Sequence, residues 1–236
     1  MITVRRADAR QHHRRREQDL WLTFDPSNRE DPLADGFGVL EILSEDRLPP
    51  HAALRRGSRR AAELVTYVRE GALAYEDSLG SSGVIHAGEF QHLTAGRAIR
   101  HREANPSPTD WAHVFQISLP AAAELASSRE QRRFSAAERR GRLCLVASPD
   151  GRSRSLRIQQ DVLMYSTLLD PGHHVVHALA PDRDAWLHLV HGEAIVGDII
   201  LSDGDGAGFT AERAVSLTAR EPSELLLFDL AARELQ

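Results

Sequence analysis

Between Phe37 and Tyr75 the apolar residues fall into short runs broken by turn residues, with no competing helical period. Leu20-Trp21-Leu22-Thr23-Phe24 alternates in the manner of a half-buried strand, and Asp25-Pro26-Ser27-Asn28 follows it as a turn. Further strands are expected over Met1–Arg6, Phe37–Leu43 and Ala72–Tyr75. Leu64–Val68, rich in β-branched and aromatic residues and ended by Arg69-Glu70-Gly71, reads as a central strand. After Leu119-Pro120, alanine, glutamate and arginine dominate up to Leu143, which predicts a short helix or an ordered linker. From Leu143 the strand pattern returns, with turns at Pro149-Asp150-Gly151, Asp170-Pro171-Gly172, His191-Gly192-Glu193 and Ser202–Gly206. The pattern predicts an all-β chain of two barrel-like domains, residues 1–134 and 135–236.

Composition narrows this only a little. The 236 residues suffice for two domains with their own cores, and a net charge of -5 with both signs interspersed describes an ordinary polar surface. All 29 basic residues are arginine. The run His12-His13-Arg14-Arg15-Arg16 reads as a solvated loop rather than a nucleic-acid contact, because the chain is acidic overall and no aromatic residue interleaves the run. No stretch reaches the length needed to span a bilayer, the N-terminus has no signal-like apolar core, and Cys144 is the only cysteine. A cytoplasmic protein without nucleic-acid or membrane partners is expected, with Cys144 as a buried apolar residue.

The strongest chemical signal is His101 with Glu103. Spaced by two on a strand, they project from one face into the same space, and imidazole with carboxylate is a donor pair for Fe, Ni, Cu, Mn or Zn. Other candidates are weaker. His51, His86, His92 and His113 are possible compensating ligands, and His173, His174, His177, His188 and His191 read as surface residues. Ser202–Gly208 lacks both the P-loop ending and the calcium-loop ligand order, so a turn is expected there.

Gly88-Glu89-Phe90-Gln91, Thr94-Ala95-Gly96 and Ile99–Asn105 resemble the second metal-site motif of the pirin family, a branch of the cupins. Trp21–Phe24, Glu63–Val68, Glu70-Gly71, Glu130–Phe134, Ser148–Gly151 and Leu227–Leu230 extend the resemblance over nearly the whole chain. It implies a bicupin: two stacked double-stranded β-helix (jelly-roll) barrels joined by a short helical or irregular linker, with a three-His, one-Glu metal centre in the first. A His-x-His pair belongs just upstream of Glu63, where this chain has Gly57 and Arg59. His101 and Glu103 are then the remnant of the ligand set, and the Arg59 guanidinium is a candidate partner for the Glu103 carboxylate. Two functions follow. With half the ligands missing, a non-catalytic or regulatory protein without a cofactor, binding a small molecule or a protein through the former pocket, is the first expectation. The alternative is a metal-dependent flavonol oxygenase of the quercetin 2,3-dioxygenase type, with a single divalent transition metal and Glu103 as ligand and base.

Overall fold

The computed structural model describes residues 1–15, 18–54, 62–78, 80–95, 101–121 and 128–232. These form two compact units. The first comprises Gln11–Gly36 and Leu40–Arg133; the second comprises Met1–Arg10, Phe37–Val39 and Phe134–Gln236. Nearly all regular structure is strand, arranged among the described residues as four sheets.

The first unit has a seven-stranded sheet in the order Ser128–Arg133, Glu89–Ala95, Ala62–Glu70, Ala112–Pro120, Ile42–Leu48, Gln18–Leu22, Gln11–Arg15. A four-stranded sheet, Ala53–Leu54, His101–Ala104, Ala72–Asp77, Ser82–His86, accompanies it. Strand Ala62–Glu70 is central, as its β-branched sequence demands, and pairs antiparallel with Ala112–Pro120 and Glu89–Ala95. Side chains alternate across the large sheet. Val68 and Val114 register opposite each other and join Leu48, Leu54, Leu73, Ile85 and Ala112 in an apolar cluster on the inner face. The other face carries buried Tyr67, whose ring stacks on Phe90 at 4.3 Å.

The expected barrels do not close. Among the described residues each of the four sheets is open, so each unit is a pair of sheets and not a sheet sealed on itself. The edges explain why: the large sheet ends on Gln-His-His-Arg-Arg on one side and Ser-Arg-Glu-Gln-Arg-Arg on the other. The small one ends on a strand of two residues, Ala53–Leu54. Charged or very short edges discourage further pairing. The basic run is accordingly not a loop before the first strand. Its described part is edge strand Gln11–Arg15, and the His12 ring lies flat on Trp21 at 4.6 Å.

The second unit repeats the plan. Its large sheet runs Ile2–Arg5, Gly206–Phe209, Arg183–His191, Ser223–Ala231, Val162–Leu169, Cys144–Ser148, Leu156–Arg157, and its small sheet His174–Ala178, Ala214–Ala219, Glu193–Val196, Ile199–Ser202. Of the described residues of the predicted linker, Ser128–Arg133 is a strand of the first unit and Ala136–Arg139 forms a helical turn, started by a Ser135–Glu138 capping box. The strand expected at Phe37 begins at Ile42. Within Ser202–Gly208 the expected turn is confined to Asp203–Asp205, around Gly204 at positive φ, and Gly206–Gly208 is already strand. Cys144 is only half-buried, and burial pushes its thiol pKa up, so it is no ready nucleophile. No helix of the described residues is long and apolar enough to cross a membrane.

Gly71 links two strands of the first unit at φ +71°, and a Cβ there would sit 2.4 Å from the Trp111 carbonyl oxygen. Gly71→Ala should lower unfolding stability by about 1–3 kcal/mol, read as a reduced urea midpoint at unchanged slope.

Candidate active site

Strand His101–Ala104 lies between Ala53–Leu54 and Ala72–Asp77. Glu103 registers with Leu54 and Tyr75, both packed on the apolar cluster, so its side chain enters the space between the two sheets. It is only 3% exposed. His101, two residues earlier, shares that face and registers with Asp77. Arg102 and Ala104 take the outer face.

Gln116, from the facing sheet, donates from Nε2 to Glu103 Oε2 at 3.0 Å. It follows Val114 by two residues and so lies on the same inner face, opposite Thr66 and Ser44. A carboxylate taken out of water needs such a donor, and an amide meets the need without neutralising the charge. Asp77 stands opposite His101 in the register of the small sheet. The Arg129 guanidinium donates to Asp77 at 3.1 Å and covers the Tyr75 ring at 3.8 Å. The inner surface thus changes from apolar around Val68 and Val114 to polar around Glu103, Gln116, Thr66 and Ser44.

The compensating histidines do not converge on this point. His92 Nε2 lies 2.7 Å from Glu63 Oε1 and His113 Nε2 lies 2.8 Å from Glu45 Oε1. Strand alternation puts both pairs on the opposite face of the large sheet, with Phe115 beside His113. His51 is an exposed turn residue at φ 59°, and His86 is exposed at a strand end. Gly57 and Arg59 lie outside the described residues, and so does the Arg59–Glu103 pairing. Among the described residues no group of three or more His, Cys, Asp or Glu side chains can hold a metal ion. A glycine offers no donor and a guanidinium is a cation, so a chain with Gly57 and Arg59 at the positions the resemblance gives to the His-x-His pair does not supply a three-His, one-Glu set.

The second unit's interior is filled by apolar side chains, among them Leu187, Leu189, Phe209, Leu225 and Leu227. Its histidines are not all on the surface. His174 and His191 are exposed, but His188 is fully buried and His177 donates or accepts at 2.7 Å from Asp229 Oδ2. Arg183 Nε also binds Asp229, and its Nη1 holds Asp161 at 2.9 and 3.0 Å. Burial pushes the Asp229 pKa up, but hydrogen bonds from His177 and Arg183 and the nearby Arg183 charge bring it below the ordinary carboxyl range. Its contribution is present above the unfolded value of about 4 and disappears as pH falls through the lower folded value. Asp229→Asn should therefore flatten the loss of urea stability below about pH 4.

Comparison with known proteins places this architecture. The pattern described as "Pirin" matches residues 4–119 and that described as "Quercetinase C-terminal cupin domain" matches residues 145–230. The chain is 36% identical over 231 residues to a quercetin 2,3-dioxygenase of Escherichia coli K12, covering 98% of this chain and 99% of that protein. It belongs to the pirin family. The crystal structure of the bacterial pirin YhhW from E. coli in complex with nickel(II) superposes with a TM-score of 0.90 at 35% identity, over 99% of this chain and 100% of that one. A pirin-like protein of Caulobacter vibrioides is 31% identical over 88% of each chain.

These relatives overturn the expectation of a non-catalytic pirin. Proteins called quercetin 2,3-dioxygenase, or its putative form, recur among relatives at 31–36% identity over most of the chain. The absent His-x-His pair spoke only for the metal.

Proposed function

We propose that this pirin is a flavonol oxygenase of the quercetin 2,3-dioxygenase kind, taking its small-molecule substrate between the sheets of the first unit. The observation that carries the reading is the end-to-end similarity to the E. coli quercetin 2,3-dioxygenase. The chemistry of the inner face agrees with it. Flavonol oxygenation starts by removal of the 3-hydroxyl proton, which puts enolate electron density on C2, the carbon that dioxygen attacks. Glu103 is the proton acceptor, a carboxylate held by Gln116 in a water-poor interior where proton transfer to a fixed base is favoured. Tyr75 and the apolar residues beneath it supply a wall for the flat rings. Nickel is held by the related YhhW. In this chain His101 and Glu103 are the remaining donors at the corresponding motif, too few for the ligand set of the family.

Purified protein incubated with quercetin in air tests the reading through loss of the flavonol absorbance and mass analysis of the product. The protein is used as purified, after chelator treatment, and after supplementing with Fe, Ni, Mn, Cu or Zn. Catalytic formation of an oxygenated, ring-opened product in any arm supports the assignment, and absence of turnover in every arm contradicts it.

A further inference from the structure

The second unit has a polar mouth of its own. Leu163 and Tyr165 register opposite Asp229 and Leu227, and Leu227 belongs to the core, so Leu163, Tyr165 and Asp229 face inward. His177 follows core residue Val175 by two positions on the small sheet. Its 2.7 Å contact with Asp229 bridges the two sheets of this unit and can form only on their facing sides. A cavity of about 430 Å³ opens beside the pair, bounded by Leu163, Ala178, Ala180 and the half-exposed Arg152. That volume lies within the range of small-ligand sites.

From these features we infer that the second unit holds a second small-molecule site, for a neutral hydroxylated aromatic that donates its hydroxyl to His177. Asp229 accepts from Nε2 and thereby fixes the imidazole tautomer, which leaves Nδ1 as an acceptor. Among the described residues Nδ1 has no hydrogen-bond partner. Arg183 is fully committed to Asp229 and Asp161, and it locks the orienting carboxylate. The charge of the site selects against anions. Three carboxylates, Asp150, Asp161 and Asp229, face two guanidinium groups, Arg152 and Arg183, so a carboxylate ligand adds a fourth negative charge. An aromatic ligand suits the walls. Leu163, Ala178 and Ala180 supply the apolar part of the lining, and the Tyr165 ring, tilted against His177 at 4.8 Å, packs the imidazole in place. This site is separate from Glu103, and its occupancy does not require turnover in the first unit.

Fluorine NMR of 4-fluorophenol with the full chain, alongside nitrogen spectra of labelled histidine, tests the inference. The expected result is a saturable fluorophenol shift, a His177 ring signal moving over the same concentrations, and at least tenfold weaker binding in His177→Gln. Ala180→Phe, at an exposed rim position, should block the cavity and weaken binding as much, without disturbing the core. 4-Fluorobenzoate should bind far more weakly than the phenol. The inference is overturned by non-saturable binding, by a His177 signal that stays still, by equal affinity for the benzoate, or by folded variants that bind as well as the parent.

Discussion

Glu103→Gln is expected to reduce flavonol turnover by about 10²–10⁴-fold, the usual contribution of a positioned general base. The substitution keeps the shape of the side chain. Gln116 can still donate to the new amide oxygen, so the link between the sheets survives and the melting temperature should change by a few degrees at most. What disappears is the ability to accept the 3-hydroxyl proton. The loss should therefore fall on kcat, with a much smaller change in KM. A variant with the parent's kcat would remove Glu103 from the reaction, and a rise in KM alone would make it a binding group.

The double substitution Gly57→His with Arg59→His should convert a weak donor pair into a complete ligand set. Two imidazoles spaced by two would be added to His101 and Glu103, giving the ligand set that the family resemblance implies. Losing a supporting partner of a metal ligand already costs about 10–100-fold in affinity. Gaining two ligands should tighten nickel binding by at least about 10²-fold and leave close to one metal per chain after desalting. Plasma mass spectrometry of the parent and the variant side by side decides the matter. Equal metal contents would show that positions 57 and 59 are not aligned with the motif.

The local features of this chain were legible in its sequence, and those that depend on sheet pairing were not. His101 and Glu103 declare themselves because a spacing of two has one meaning on a strand, and they lie on strand His101–Ala104. Central strand Ala62–Glu70 is announced by Leu64–Val68. Gln116 was missed: a neutral amide thirteen residues from Glu103 carries no motif, and only the facing of two sheets brings them together. His177 and Asp229, 52 residues apart, are hidden for the same reason, and nothing near His177 in the sequence separates it from a surface histidine. Strand alternation also assigns His92 and His113 to the wrong face for a metal, a result that needs the register. The open sheets were illegible because closure depends on what edge strands such as Gln11–Arg15 and Ala53–Leu54 decline to pair with.

The most direct test of the central claim is incubation of the purified protein with quercetin under ¹⁸O₂, followed by mass analysis of the product. A dioxygenase built around Glu103 should place both labelled oxygen atoms in a ring-opened product, at a rate that collapses in Glu103→Gln. Unchanged quercetin, or a product that takes its new oxygen from water, would contradict the account.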